Sequence, residues 1–291
     1  MEGKLLNNPL FVIGSPRSGT TLVRIMINAH PKVLIPPENG GAIVYWYDKY
    51  KDWTKKDLQS NRVREYVDDL LSTKKIDTWH LSKQEVLSMI HELEPANYAT
   101  LSACAYLAYG KKTKNKLHIW GDKNNFLIKH IDILYQLYPD AYFLYFIRDG
   151  RDVACSYKAL SNKKISGQYA PTLPTNASEI ANHWVNNNEA ALKSFGKIPE
   201  NQLLTCYYED LVQNTKQEAK KICDFVGEPY STQMLDYNEI NDEPQEFLQW
   251  KAKITQKPDP SSVGKYKREL REPELYEFEN IAGSMLKKLG Y

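Results

Sequence analysis

The chain has 291 residues, 42% hydrophobic and 25% charged, with 38 Lys and Arg against 36 Asp and Glu for a net charge of +2. This is the composition of a globular protein able to bury a full core, and the near balance of charge disfavours duplex nucleic acid as a partner. No apolar stretch approaches the roughly 20 residues a membrane helix needs, and none of the four cysteines (Cys104, Cys155, Cys206, Cys223) falls in a CxxC pair suited to zinc. Met1 to Leu10 carries too short an apolar run for a signal peptide, so the expectation is a cytoplasmic protein with reduced, buried cysteines.

In chain order, Leu10 to Ile13 is an apolar run closed by Gly14 and reads as a buried parallel strand. Thr20 to Ala29 reads as a helix, with Leu22, Ile25, Met26 and Ala29 at helical spacing, and Pro31 stops it. Val33 to Ile35 is a second strand, ended by Pro36-Pro37. Strand, helix and strand in so short a span is the βαβ pattern of an α/β sheet. Residues 41–118 read as mostly helical, with amphipathic stretches around 60–72 and 82–93. Their aromatic cluster, Tyr45, Trp46, Tyr47, Tyr50 and Trp53, suits the core of a helical cap and a substrate wall equally. A helix over 126–137, a strand over 141–147, a helix over 150–160 and a mobile loop over 161–178 follow. Then come a helix over 179–195, a strand over 202–207, a helix over 212–226, a Pro- and Ser-containing loop at 257–262 and a last helix over 273–289. No repeat or linker divides the chain. The expectation is a single domain over 1–291 of α/β class: a P-loop-like central parallel sheet flanked by helices, with 41–118 as a helical insertion on the substrate side.

Gly14-Ser15-Pro16-Arg17-Ser18-Gly19-Thr20-Thr21 lies between the first strand and the first helix, with the G-x-x-x-x-G spacing of a phosphate loop. Glycines let the backbone wrap an anion, and the helix that follows aims its free N–H groups and its dipole at that anion. Thr20 and Thr21 add hydroxyl donors, and Arg17 adds a charged fork suited to phosphate. A nucleoside triphosphatase would carry Lys where this chain has Thr20. The best Mg²⁺ candidate, Asp149, sits inside an Arg-rich turn, so an ordinary kinase or ATPase is disfavoured and no metal is expected.

These residues resemble the 5′-phosphosulfate loop of sulfotransferases that use PAPS (3′-phosphoadenosine 5′-phosphosulfate). The Pro-Arg-Ser-Gly-Thr-Thr form is similar to protein-tyrosine sulfotransferases and to bacterial carbohydrate and natural-product sulfotransferases. The resemblance implies that Pro16, Arg17, Ser18, Gly19, Thr20 and Thr21 hold the 5′ side of PAPS and of its product PAP. Phe146-Ile147-Arg148-Asp149-Gly150-Arg151-Asp152-Val153-Ala154-Cys155-Ser156 resembles the 3′-phosphate segment, with Arg148 and Ser156 as its grip. Arg148 follows a strand, where open α/β sheets bind ligands, whereas Arg151 reads as a structural ion-pair partner. Cys206-Tyr207-Tyr208-Glu209-Asp210-Leu211 resembles the segment whose tyrosine, here Tyr208, meets the adenosine. Ser262 to Leu270 resembles the C-terminal loop that folds over the nucleotide, with Gly264, Lys265 and Arg268 as its contacts; which basic residue touches phosphate stays open.

Sulfuryl transfer needs a base for the acceptor proton and positive charge for the leaving phosphate. Glu38, just after the second strand, emerges beside Arg17 if that strand runs parallel to the first, and it matches the catalytic Glu of the tyrosine enzymes. Its pKa is expected to be raised by partial burial. Among six histidines, His118 is the rival base. Trp120-Gly121-Asp122-Lys123-Asn124-Asn125 resembles the segment with the catalytic Lys, so Lys123 together with Arg17 is expected to stabilise the leaving group, while Asn124 or Asn125 orients the acceptor. The expected partner is a small-molecule, sugar or peptide hydroxyl, with no nucleic acid and no membrane span. A degenerate P-loop kinase-like enzyme and a non-catalytic nucleotide-binding module are the competing readings.

Overall fold

The computed structural model describes residues 8–163 and 165–291. Five strands, β1 (Leu10–Ile13), β2 (Val33–Leu34), β3 (Ile119–Asp122), β4 (Tyr142–Ile147) and β5 (Leu203–Tyr207), form one parallel sheet in the order β2-β3-β1-β4-β5. The α/β class and the helix-flanked parallel sheet are as the sequence predicts. Parallel strands buried on both faces need apolar residues at every position, and β1 and β4 supply them. Phe11 and Ile13 of β1, with Phe143, Tyr145 and Ile147 of β4, face one core. Leu10, Val12, Leu144 and Phe146 face the other, as the period-two alternation of a strand requires.

The second core is closed by helix α1 (Thr20–Asn28) and by the helical stretch after β5. On the first face lie the cap, with helices α2 (Arg62–Ser72), α3 (Lys83–Leu93) and α4 (Tyr98–Thr113), then α5 (Gly150–Ser161), α6 (Ala177–Phe195) and the final helix α7 (Glu272–Lys288). The aromatic cluster of the cap is part core, part surface, and forms no wall of the main cavity. Tyr50 and Trp53 are buried among Tyr66 and their neighbours, Tyr45 is 63% exposed, and none of the five lines the main cavity.

Several boundaries differ from those expected. The segment 126–137 divides into a 3-10 turn, Asn125–Lys129, and a short helix, Ile131–Leu137, because His130 leaves helical geometry at φ −131°. The stretch 212–226 likewise divides into Tyr208–Gln213 and Thr215–Val226 at Asn214, whose φ is −128°. Helix α6 starts two residues early because the Asn176 side chain accepts the Glu179 N–H at 2.8 Å and caps it. The 257–262 loop carries a 3-10 turn over Pro260–Ser262.

The consequential difference is β3. Its four residues hold a glycine and end in aspartate, so they carry no strand pattern, yet they insert between β2 and β1. The second strand therefore pairs with Ile119 and Trp120, not with β1. Gly121 makes the insertion possible, since a Cβ there would lie 2.0 Å from the Leu10 carbonyl oxygen. Because all pairs are parallel, the ends of β1, β2 and β3 still deliver Gly14, Glu38 and Lys123 to the same edge. Gly121→Ala is expected to force the β1–β3 pair apart and to lower stability by about 1–3 kcal/mol, read as a reduced urea midpoint with an unchanged m-value.

Candidate active site

The loop after β1 turns on two left-handed residues, Arg17 at φ 67° and Gly19 at φ 93°. Gly19 has no substitute: a Cβ would meet the Tyr208 ring at 2.5 Å. The strained Arg17 backbone costs about 1–3 kcal/mol in a position that only local constraint maintains. Its guanidinium donates to Ser156 Oγ at 3.2 Å, and burial lowers its pKa. Gly19 caps α1 without a side chain, so the first N–H groups of α1 face the cavity unprovided for by any cap. Thr20 Oγ1 donates to Asn125 at 3.3 Å, and Thr21 Oγ1 accepts from Lys123 at 3.0 Å.

These groups border a cavity of about 880 Å³ at the carboxyl edge of the sheet. Among the described residues, ten basic side chains line it against two carboxylates, Glu38 and Asp259. The sum of the chain's charges conceals this concentration, which makes the cavity a site for a multiply charged anion.

The second half of the cavity is built from β4 and β5. Arg148, 6% exposed, lies with its guanidinium carbon 4.0 Å from the centre of the Tyr208 ring and donates to the Ser262 carbonyl at 2.9 Å. Tyr208 shares a hydrogen bond with Ser262 Oγ at 2.7 Å. Asp152 accepts the N–H groups of Gly264 (2.7 Å) and Tyr266 (3.0 Å), fastening the C-terminal loop to α5. This carries Lys265 into the cavity wall, where burial lowers its pKa. Arg268 does not reach it: the side chain is exposed, and its guanidinium donates to the Ser261 carbonyl. Gly264 serves through its backbone and does not line the cavity. Asp149 caps α5 and pairs with Arg151, so both are structural, as expected for Arg151.

Glu38 and Lys123 meet at the centre. Glu38, 7% exposed, is hydrogen-bonded through Oε1 to Lys123 and through Oε2 to Lys75 at 2.7 Å, and Lys251 stands 3.7 Å from Oε1. Burial alone would push this carboxyl up, but Lys123, Lys251 and Lys75 together hold it well below the usual range. The expected upward shift is therefore reversed, because the site surrounds the carboxylate with cations rather than apolar walls. Burial pushes Lys123 down to about 8, with Glu38 opposing and Lys251 reinforcing the fall. Beneath this pair, Asp122 accepts from Tyr106 (2.7 Å) and Asn124 (2.6 Å), and Asn124 donates to Asn39, which in turn donates to Tyr106. Burial raises Asp122 to about 6 despite these bonds. Asn124 is thus tied into the floor, while Asn125 faces the loop. His118 lies elsewhere, bonded to Glu228 at 2.9 Å. Lys75 and Lys251 belong to no motif in the sequence: Lys75 follows Lys74 in the cap, Lys251 lies two residues before Lys253 in the C-terminal segment, and packing brings both in.

Arg148 lines the cavity, and its buried Nε has no partner among the described residues, a group that an anionic nucleotide would satisfy. No cluster of His, Cys, Asp or Glu fit to hold a metal occurs among the described residues.

The sequence model of the sulfotransferase family matches residues 9–232. The chain belongs to that family, and the expectation of a PAPS-dependent sulfotransferase stands. It is similar to the protein-tyrosine sulfotransferase of Drosophila melanogaster, 25% identical over 235 residues that make up 81% of this chain and 41% of the relative. It is likewise similar to protein-tyrosine sulfotransferase 2 of Gallus gallus, 26% identical over 81% of this chain and 55% of the relative. The chain spans about half the length of these relatives. In fold it resembles the sulfotransferase domain of the Synechococcus PCC 7002 olefin synthase, with a TM-score of 0.61 at 20% identity over 96% of this chain and 95% of that one. It also resembles a mouse sulfotransferase complexed with PAP, with a TM-score of 0.51 at 12% identity over 98% and 90% of the two chains.

Asp152→Ala is expected to free two backbone N–H groups and loosen the loop that presents Lys265. PAP affinity should fall by about tenfold or more, the equivalent of one or two lost charge-assisted hydrogen bonds, in a calorimetric titration, with the circular dichroism spectrum unchanged.

Proposed function

We propose that the chain transfers the sulfuryl group of PAPS to a hydroxyl of an alcohol, sugar or phenol acceptor, with Glu38 as general base. The observation that carries this reading is the convergence of Glu38, Lys123, Arg17 and the N-terminus of α1 on one buried point of a strongly basic cavity. The phosphate loop with Arg17 would hold the phosphosulfate. Arg148 and Ser156 would take the 3′-phosphate, Tyr208 the adenosine and Lys265 a phosphate from the C-terminal side.

The same geometry accounts for the proton. An anionic donor competes with Glu38 for Lys123, because a buried ammonium pairs with whichever oxygen is nearest and most charged. Drawn to the donor, Lys123 leaves Glu38 Oε1 open to the acceptor hydroxyl. Glu38 accepts that proton as the acceptor oxygen bonds to sulfur. The bond from sulfur to the bridging oxygen breaks, and its electron pair stays on the phosphate of PAP, beside Lys123 and Arg17. Positioning and preorganised charge supply the rate, as in other group transfers to oxygen. A protein or small-molecule acceptor is consistent with the named relatives. A reducing, cytoplasmic setting belongs to the same reading and is supported by four cysteines that are all buried and unpaired.

Calorimetric titration with PAP, with adenosine 5′-monophosphate as control, tests the donor assignment. PAP should bind far more tightly, and equal affinities would sink the reading. Glu38→Gln is expected to keep or tighten PAP binding, since Lys123 no longer has a competing carboxylate, while lowering kcat by about 10²–10⁴-fold, the range for a positioned base, in a sulfuryl-transfer assay from labelled PAPS.

A further inference from the structure

Lys251 belongs to no motif that resembles a sulfotransferase segment, yet it is buried at the reacting pair. It lies in a short helical turn, Leu248–Lys251, far along the chain from Glu38. Its Nζ stands 3.7 Å from Glu38 Oε1 and is hydrogen-bonded to Glu243 Oε1. Glu243 Oε2 in turn accepts from Arg24, which is 1% exposed and whose guanidinium also pairs with Asp242 and donates to the Ile35 carbonyl at 3.2 Å. Arg24 sits on α1, the helix whose first turn faces the donor site. A continuous chain of charged contacts thus runs from the phosphate-loop helix through Arg24, Glu243 and Lys251 to Glu38 and Lys123.

We propose that Lys251 is a positioning residue for sulfuryl transfer: anchored through Glu243 and Arg24 to α1, it holds the Glu38 carboxylate in place and sets the charge balance of the Glu38–Lys123 pair. This inference rests on the proposed roles of Glu38 and Lys123. Every residue in the chain of contacts is buried or nearly so, and buried charges keep fixed positions only when each is paired. Two neighbours of opposite sign do different things here. Lys251 adds a positive charge beside the pair, favouring ionised Glu38 and neutral Lys123. Glu243 withholds part of that charge by holding the ammonium on its far side. The other groups facing Glu38 are Lys123 from the end of β3, Lys75 from the cap and the Arg17 guanidinium from the phosphate loop. Lys123 faces Glu38 and the Thr21 hydroxyl, with Lys251 and Glu243 behind Glu38 and Asp122 beneath.

The two substitutions Lys251→Met and Glu243→Gln therefore have opposite signs. Removing the Lys251 charge makes Lys123 easier to protonate and Glu38 harder to ionise, so both groups titrate at higher pH. Removing the Glu243 charge makes Lys123 harder to protonate, so it titrates at lower pH. The test is carried out on the full chain without donor by following the ¹³Cε resonance of Lys123, assigned from its loss in Lys123→Arg, across the alkaline range. In parallel, the basic limb of the kcat/KM profile is recorded with PAPS and a productive acceptor.

The Lys123 midpoint and the basic limb should both move up by roughly one pH unit in Lys251→Met, as expected for one charge within a few ångströms. Both should move down in Glu243→Gln and return close to the parent values in Lys251→Arg. An unmoved midpoint in folded Lys251→Met overturns the proposal, even if kcat falls, because that is the pattern of a structural residue. A tenfold loss of PAP affinity with an unmoved midpoint also overturns it, since Lys251 would then bind the donor directly. If Lys251→Met does not fold, the downward shift in Glu243→Gln decides alone. Opposite shifts in a chain that transfers no sulfuryl group would support the placement of Lys251 and remove the functional reading instead.

Discussion

A cavity ringed by basic side chains can fold only if something offsets their mutual repulsion before an anion arrives. Here Glu38 does so from the cavity wall and Glu243 from behind it. Glu38 bridges Lys123 and Lys75 and stands near Lys251; Glu243 bridges Lys251 and Arg24. Burying an ion costs several kcal/mol, and only close pairing recovers it, so the carboxylates and lysines must stay together. This pairing ties the cap and the C-terminal segment to the turn after β2 and the end of β3, whose strands are already paired in the sheet.

The same contacts connect stability to chemistry. A carboxylate held ionised by three lysines is a poor base while they remain on it. A lysine pushed down to about 8 by burial is readily redirected to a stronger anion. In the proposed mechanism the unliganded protein would store its base in an ion pair that a phosphosulfate takes apart, and the groups that stabilise the empty site would be those that act in the full one.

The sheet supplies the frame. With all five strands parallel, the segments after β1, β2, β3 and β4 that carry Arg17, Glu38, Lys123 and Arg148 leave from one edge, and α1 aims its N–H groups there. The C-terminal loop closes this frame through two backbone hydrogen bonds to Asp152 and one from Arg148 to Ser262. Asp152 fastens, through its two bonds, the loop that holds Lys265 in the wall. Arg268, three residues on, points to solvent because the short helix Tyr266–Glu269 turns it outward.

Local pattern determined β1, β4 and β5, the phosphate loop and the residues that follow them, because each is a continuous run whose hydrophobicity, glycines and charges are adjacent in the chain. Local pattern placed Arg17, Thr20 and Thr21 in that loop and Arg148 and Glu38 after strands, whereas Ser156, Tyr208 and Lys123 were singled out through resemblance to family segments; all eight border or touch the same cavity. Tertiary structure alone decided the rest. β3 has too little apolar pattern to stand out, and its place between β2 and β1 depends on the space that Gly121 leaves beside Leu10. Lys75, Lys251, Glu243 and Arg24 look like ordinary surface or helix residues in the sequence; only packing of the cap and C-terminal segment against the sheet edge makes them neighbours of Glu38. The direction of the Glu38 shift followed from the same fact, since a carboxylate's acidity depends on charges within a few ångströms, and those came from positions distant in sequence.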